Sequence, residues 1–162
     1  MLRKVKSITV LVVALLFSTA IMNTKTVSIK PINYSKEDIL WMARNVYYEA
    51  RNQSAKGMIA VMYTTLNRTL SEQYPQTIKD VVTQRNKKGC QFSWYCTKNA
   101  PVNEQEFLKI YNFVKQVLPV LYIMNDPTHG ALYYHANYVK PAWAKVFTKT
   151  AVIDDHIFYK GL

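Results

Sequence analysis

One acidic side chain, Glu49, lies in an apolar and aromatic setting, in the stretch NVYYEARNQ. On a helical wheel at about 100° per residue, Glu49 falls at the edge of the face centred on Ala43 and Ala50. Burial at such an edge raises the pKa of a carboxyl group, which then keeps its proton near neutral pH. The setting predicts a general acid. The alternatives are a salt bridge to Arg44 or Arg51, or a solvated edge residue.

The other nine acidic residues have settings that favour different roles. Five lie in the first turns of predicted helices, where carboxylates cap amides and interact favourably with the helix dipole: Glu37, Asp38, Asp80, Glu104 and Glu106. Four lie in polar, turn-like segments: Glu72, Asp126, Asp154 and Asp155. No second carboxylate shares the setting of Glu49, unless Asp154 or Asp155 folds back into the same cleft.

The two cysteines, Cys90 and Cys96, lie in the stretch GCQFSWYC. A cysteine pair in an exported chain favours a disulfide over two free thiols. A metal site would require more ligands, and none of the three histidines is close in sequence. No cofactor motif occurs. The expected disulfide would fix the loop that carries Gln91, Phe92, Ser93 and Trp94.

Periodicity predicts three long helices before a small sheet. A capping box at Ser35 and Asp38 begins a helix over 36–51, and a second helix covers 55–70, with Gly57 placed to allow close approach to the first. Thr77 begins a short helix, and Asn103 begins a third long one that Pro119 bends or stops. The pattern predicts late strands over Ala131–His135 and Ile157–Tyr159. The order predicts an α+β fold, mostly helical, with a short late sheet.

The first 22 residues differ from the rest of the chain. Arg3, Lys4 and Lys6 precede the apolar run Ile8–Phe17, and small residues follow. This layout is typical of a secretory signal, and an uncleaved membrane anchor is the alternative. We therefore assign residues 1–22 to a signal peptide or anchor and expect an exported or anchored protein.

The chain is strongly basic, with 21 Lys and Arg against 10 Asp and Glu. A basic exported protein has several polyanions to meet, namely teichoic acids, peptidoglycan carboxylates, anionic lipids and nucleic acid, and charge alone does not choose among them. The basic residues are scattered, whereas a nucleic-acid module clusters them along one element. We therefore expect no nucleic-acid partner.

Short motifs in a fixed order resemble the SleB-type cell wall hydrolase family, which is named for spore cortex-lytic enzymes and has similar domains in phage lytic proteins. The motifs are Tyr48-Glu49-Ala50-Arg51, Gly57, Ala60-Val61, Asn67-Arg68, Tyr74-Pro75-x-Thr77-Ile78-x-x-Val81-Val82, Gln91-Phe92-Ser93, Tyr134-His135-Ala136, Pro141-x-Trp143 and His156-x-Phe158-Tyr159. One departure is Asn52, where the family often has Gly.

The resemblance implies a domain over 34–162 related to lysozyme and resuscitation factors. It implies cleavage of peptidoglycan glycan strands between N-acetylmuramic acid and N-acetylglucosamine, with Glu49 as the catalytic acid. A lone acid suits a lytic transglycosylase, and a muramidase is the alternative. Aromatic faces and amide or hydroxyl groups suit an acetamido sugar, which makes these residues candidates for substrate binding: Gln91, Phe92, Ser93, Tyr134, His135 and Trp143.

Three other readings compete with catalysis on glycan. A non-catalytic, basic peptidoglycan-binding module shares every feature except an essential Glu49. A membrane-anchored structural or interaction protein would retain residues 1–22. An amidase or peptidase would need a metal-ligand cluster or an activated nucleophile, and neither occurs at usable spacing.

Overall fold

This computed structural model describes residues 32–87, 89–97 and 103–162. The α-helices are α1 Lys36–Ala50, α2 Ala55–Thr69, α3 Ile78–Thr83, α4 Ser93–Cys96 and α5 Glu104–Val117. The 3₁₀ helices are Leu118–Ile123 and Ala142–Lys145. The strands are β1 Arg85–Asn86, β2 Gly89–Cys90, β3 Tyr133–Ala136, β4 Thr148–Ile153 and β5 His156–Lys160. Residues 1–22 lie outside the described residues, so their assignment as signal or anchor stays a prediction.

The helix starts follow the capping residues of the sequence. Ser35 accepts from the Asp38 backbone N–H, and the Asp38 side chain accepts from Ser35 in return, which completes the predicted capping box. Thr77 and Asn103 cap α3 and α5 in the same way with one side-chain acceptor each. Helix α5 ends before Pro119, and the chain continues as a 3₁₀ turn, because proline cannot supply the next helical N–H.

The main core lies between the helices. Helix α1 contributes Met42 and, spaced three or four residues apart, Ala43, Val46 and Ala50, all of which are buried. They pack against buried side chains from α2, α3 and α5 in one cluster. Helix α1 is thereby held on three sides, and its last turn, which carries Glu49, has a fixed position.

The late sheet is antiparallel with the strand order β3-β5-β4. Tyr134 of β3 lies opposite Phe158 of β5, and a register shift interrupts β4 between Lys149 and Ala151. Phe158 packs in a small second core with Ala60 of α2, which places one face of the sheet against the helices. The predicted α+β order is thus observed, with β4 as a strand that the periodicity did not predict.

Gly57 serves a different contact from the predicted approach of α1 and α2. A side chain at this position would collide with the Asp154 carboxylate and with the Cβ of Gln53. The Asp154 carboxylate accepts from the backbone N–H and the hydroxyl of Ser54, at 2.9 and 2.7 Å. The turn between β4 and β5 therefore rests on the start of α2, and this contact is what requires glycine.

Candidate active site

Glu49 lies in the last turn of α1, at the edge of its buried face, and is itself half-buried. The Tyr134 hydroxyl donates to Glu49 Oε2 at 3.1 Å. Arg44 and Arg51 instead place their guanidinium groups over the rings of Trp41 and Tyr47, at 4.9 and 5.1 Å. Within the described ranges the one salt bridge joins Lys79 to Glu37, so the alternative of an Arg–Glu49 salt bridge is not observed.

Burial raises the pKa of Glu49 above that of an exposed glutamate. The hydrogen bond from Tyr134 and the positive charge of Arg68 lower this pKa, but by less than burial raises it. The carboxyl group therefore keeps its proton to a higher pH than an exposed side chain does. A proton held near neutral pH is what a general acid requires.

Contacts from strand β5 and from helix α2 fix the position of Tyr134. Its ring packs against Phe158 and edge-on against His156, with centroids 5.5 and 5.1 Å apart. Arg68 is only 3% exposed, and its Nε donates to the Leu132 carbonyl at 2.8 Å, two residues before Tyr134. The Asn67-Arg68 motif thus sets the position of β3.

Asp126 organises the turn that leads into β3. Its carboxylate accepts from Asn67 at 3.0 Å, from the N–H and hydroxyl of Thr128 at 2.7 Å each, and from the Gly130 N–H at 2.7 Å. Burial raises the pKa of Asp126, but these hydrogen bonds together outweigh burial and leave the pKa lowered. The carboxylate is a structural anchor for the turn, a role that its polar, turn-like sequence does not predict.

Glu49 borders a cavity of about 210 Å³, here termed the loop cavity, whose lining residues are Glu49, Arg68, Cys90, Gln91, Phe92, Ser93 and Tyr134. Four candidate substrate-binding residues share it with Glu49: Gln91, Phe92, Ser93 and Tyr134. Phe92 is 4% exposed and lies beneath the Arg68 guanidinium at 5.2 Å. It forms the floor of the cavity, while Gln91 and Ser93 supply its polar groups.

Cys90 and Cys96 form the predicted disulfide. The loop that it closes is held against α1 through Trp94, whose ring stacks on Tyr48 at 4.5 Å. The Trp94 indole N–H also donates to Asn45 at 3.4 Å. Because Tyr48 precedes Glu49, this contact fixes one wall of the cleft relative to the carboxyl group.

A second cavity of about 270 Å³ also borders Glu49 and is termed the polar cavity. Its lining residues are Tyr48, Glu49, Arg51, Asn52, Gln53, Ala136, Tyr138, Asp155 and His156. Apart from Glu49, and Asp155 as a possible second carboxylate, none of these residues was a candidate for the site from the sequence. They come from the end of α1 and the turn after it, from the end of β3 and the turn after it, and from the start of β5 and the turn before it. Only the topology brings these segments together. The signals available were the helix break at Asn52-Gln53 and the motif beginning at His156.

The two aspartates of the β4–β5 turn have different partners. Asp154 binds Ser54 at the start of α2 and is thereby occupied. Asp155 lines the polar cavity with Glu49, while its carboxylate accepts from Gln53 at 3.2 Å and from Asn137 at 3.4 Å. One of the two carboxylates that could fold back into the cleft therefore does so.

His135 and Trp143 lie apart from Glu49. Side chains alternate along a strand, so Tyr134 faces α1 whereas His135 faces the other side of the sheet. There the His135 ring lies 5.5 Å from Trp143, and its Nε2 is 3.1 Å from the Tyr159 hydroxyl. Neither His135 nor Trp143 lines the two cavities beside Glu49. The structure does not bring them together with Glu49, and their predicted contact with substrate stays a prediction.

Among the described ranges, no group of three His, Cys, Asp or Glu side chains is placed to hold a metal ion. In the same part of the chain, no helix combines the length and the apolar character that a membrane crossing requires.

The fold resembles solved structures of one kind. The catalytic domain of the germination-specific lytic transglycosylase SleB from Bacillus anthracis aligns with a TM-score of 0.61 and 28% identity, over 80% of this chain and 99% of that one. The catalytic domain of the Bacillus cereus SleB protein aligns with a TM-score of 0.56 and 27% identity, over 81% and 95%. These likenesses confirm the predicted lysozyme-like α+β class.

Sequence comparison finds spore cortex-lytic enzymes. That of Bacillus cereus is 31% identical over 133 residues, which are 80% of this chain and 47% of that protein. That of Oceanobacillus iheyensis is 30% identical over 133 residues, with 80% and 44% covered. The chain thus spans about half the length of these curated relatives.

The family model described as Cell Wall Hydrolase matches residues 52–159, a segment that begins three residues after Glu49. The matched segment contains most of the motifs on which the resemblance rested, and the relatives are those that the resemblance predicted. The chain belongs to the Cell Wall Hydrolase family, of the SleB type.

Proposed function

We propose that this protein is an enzyme that cleaves the glycan strands of peptidoglycan, between N-acetylmuramic acid and N-acetylglucosamine, as a lytic transglycosylase. One observation carries the proposal: Glu49 is a half-buried carboxyl group with a raised pKa, and it lines two cavities. Membership of a cell wall hydrolase family supports it. So does the likeness to a catalytic domain named a lytic transglycosylase.

Glu49 would act first as an acid. Its proton passes to the oxygen of the glycosidic bond, the bond to the anomeric carbon breaks, and an oxocarbenium-like centre forms on the muramic acid. The carboxylate that remains would then act as a base. It takes the proton of the sugar's own 6-hydroxyl while that oxygen bonds to the anomeric carbon. The products are a 1,6-anhydro end and a free hydroxyl on the leaving sugar, and Glu49 is again protonated.

The surroundings of Glu49 suit both steps. Burial favours the protonated form that donates, and the Tyr134 hydroxyl stabilises the carboxylate that accepts, through its bond of 3.1 Å. The two cavities would hold the sugars on either side of the scissile bond. Gln91 and Ser93 offer hydrogen bonds on one side, and the turns after α1 and before β5 offer them on the other.

Hydrolysis is the second candidate, and Asp155 is the observation that favours it. A muramidase uses a second carboxylate as base or nucleophile, and Asp155 lines the polar cavity with Glu49. Its carboxylate is exposed and already accepts from Gln53 and Asn137. These contacts leave it less available to activate water, so we favour transglycosylation.

The products distinguish the candidates. Purified protein is incubated with purified peptidoglycan, and the soluble muropeptides are analysed by mass spectrometry. Transglycosylation predicts 1,6-anhydro ends. Reducing ends would establish a muramidase and point to Asp155. A folded protein that pellets with the wall but releases nothing would instead favour the non-catalytic, basic peptidoglycan-binding module.

Export follows from this substrate and from the basic, apolar start of the sequence. We infer that the protein works outside the cytoplasm, with anionic wall polymers as additional contacts for its excess of basic residues. The mass of the mature amino terminus tests the first part: loss of about the first 22 residues indicates a cleaved signal, and an intact chain in the membrane fraction indicates an anchor.

A further inference from the structure

The polar cavity contains one buried polar side chain without a partner. Gln53 and Asp155 satisfy each other, because the Gln53 amide donates to the Asp155 carboxylate at 3.2 Å and accepts from the Asp155 N–H at 3.1 Å. His156 lines the same cavity and is 6% exposed, and its Nδ1 has no hydrogen-bond partner among the described residues. Such groups are rare in folded proteins and call for an explanation.

The backbone holds His156 firmly in place. It is the first residue of β5 and is paired with Ala136 on one side and Ile153 on the other. Its ring meets the Tyr134 ring edge-on, with centroids 5.1 Å apart. His156 therefore has a fixed position beside Tyr134, which donates to Glu49.

The imidazole is kept neutral by its surroundings. Burial lowers the pKa of His156, Asp155 and Asp154 raise it by less, and His135 lowers it further. A neutral imidazole has one N–H donor and one lone pair and carries no charge. It is a poor site for phosphate or carboxylate, which favour cationic partners. It suits a neutral amide or hydroxyl group.

We propose that His156 recognises the acetamido group of an N-acetyl sugar bound in the polar cavity, and so determines which sugars the enzyme accepts. Nδ1 is enclosed and has no acceptor for a proton, so the single ring proton lies on Nε2, which is not among the enclosed, unpartnered atoms of the described residues. An Nε2–H donates to the acetamide carbonyl, a neutral acceptor that matches a neutral donor. This role deepens the proposed function and rests on it, because the sugar is a unit of the glycan strand.

The competing explanation is structural: His156 fills space against Tyr134. His156→Phe separates the two, because phenylalanine keeps an aromatic edge against Tyr134 and has no nitrogen. His129→Asn is the matched control, since His129 is exposed, lines neither cavity, and has a positive φ that asparagine tolerates.

The test is a thermodynamic cycle in which the affinities of two proteins are each measured for two ligands. Glu49→Gln protein, which prevents turnover, is compared with the Glu49→Gln, His156→Phe double variant. Each is titrated calorimetrically with peptide-free glycan strands, either N-acetylated or chemically de-N-acetylated. We expect de-N-acetylation to weaken binding to the Glu49→Gln protein about tenfold more than binding to the double variant. Equal losses in the two proteins would overturn the proposal, because the cycle would show no coupling between His156 and the acetyl group.

A second readout does not depend on the folding of the variant. The chain has three histidines, so ¹⁵N-histidine NMR of the Glu49→Gln protein gives three resolvable rings. The His156 Nε2 signal should shift with acetylated strands and not with de-N-acetylated strands, while the His129 signal stays constant. A His156 signal that does not shift when acetylated strands bind would contradict the proposal.

The outcomes also separate this inference from the proposed function. Peptidoglycan cleavage by the wild type, with no coupling in the cycle, removes only the role of His156. A wild type that releases no muropeptides, with strands that bind neither protein, removes the proposed function and this inference together.

Discussion

The Tyr134 hydroxyl donates to Glu49 Oε2 at 3.1 Å, although the two residues are 85 positions apart in sequence. The bond joins the last turn of α1 to strand β3. The helical core and the late sheet therefore meet at the carboxyl group, and the protonation of Glu49 depends on both.

Tyr134→Phe should move the alkaline limb of the pH–rate profile to higher pH. The hydrogen bond lowers the pKa of Glu49, so its loss raises that pKa further. Activity requires the protonated acid and is lost as pH rises through this pKa. The rate of muropeptide release should be measured from pH 4 to 9, with Tyr111→Phe in α5 as the control. An alkaline limb that stays in place or moves to lower pH would contradict this reading.

Arg68→Lys should destabilise the fold by about 2 kcal/mol, because lysine cannot reproduce the guanidinium geometry. Arg68 Nε donates to the Leu132 carbonyl at 2.8 Å, and the guanidinium carbon lies 5.2 Å from the ring centroids of Tyr74 and Phe92. Urea unfolding measures the loss. Arg44→Lys is the matched control at an exposed site, where we expect less than about 1 kcal/mol. Equal effects at the two sites would show that burial of Arg68 contributes nothing.

Asp126→Asn should destabilise the protein by about 1–3 kcal/mol at pH 7, because four donors lose an ionised acceptor. The pKa of Asp126 is lowered in the folded state. Its contribution is therefore complete above the unfolded pKa of about 4 and is lost as pH falls through the folded value.

The gap in unfolding free energy between wild type and Asp126→Asn should accordingly narrow below about pH 4. Urea unfolding at pH 7, 5, 4 and 3 measures it. The exposed Glu72→Gln should differ from wild type by less than about 0.5 kcal/mol at pH 7. A gap that widens towards acid pH would mean that Asp126 does not anchor the turn as a carboxylate.

Replacing both Cys90 and Cys96 with Ser should lower stability by about 2 kcal/mol, the value expected for a loop this short. It should also raise KM more than it lowers kcat. The disulfide closes the loop that supplies Gln91 and Ser93 to the loop cavity, whereas Glu49 is held by α1 and Tyr134. Peptidoglycan-release assays over a range of substrate concentrations give both parameters. An unchanged KM would indicate that the α1 contact through Trp94 orders the loop without the disulfide.

The sequence predicted the helices well because their signals are local. Capping residues Ser35, Thr77 and Asn103 mark three starts, and the placement of Glu49 on the border of the α1 face follows from a 3.6-residue period. Strand β4 was missed because it is an edge strand whose first two residues, Thr148 and Lys149, are exposed, so no apolar alternation marks them.

Of the two cavities beside Glu49, only the loop cavity could be predicted, because its residues are mostly close together in sequence. The loop cavity is built mainly from one segment that a disulfide marks, and all of its lining residues except Arg68 were candidates from the sequence. The polar cavity joins the turn after α1 to the turns after β3 and before β5, and sequence periodicity does not predict such long-range contacts. His135 and Tyr134 are adjacent in sequence, but the strand places them on opposite faces, and only the register with β5 decides which one meets Glu49.

The central claim is that Glu49 is the catalytic acid, and Glu49→Gln tests it most directly. Glutamine keeps the size of the side chain and cannot donate the required proton. Wild type, Glu49→Gln and the exposed control Glu72→Gln are incubated with purified peptidoglycan, and anhydro-muropeptides are counted by mass spectrometry. We predict a loss of about 10³-fold for Glu49→Gln and none for Glu72→Gln. Wild-type levels of muropeptide release by a folded Glu49→Gln protein would contradict the account.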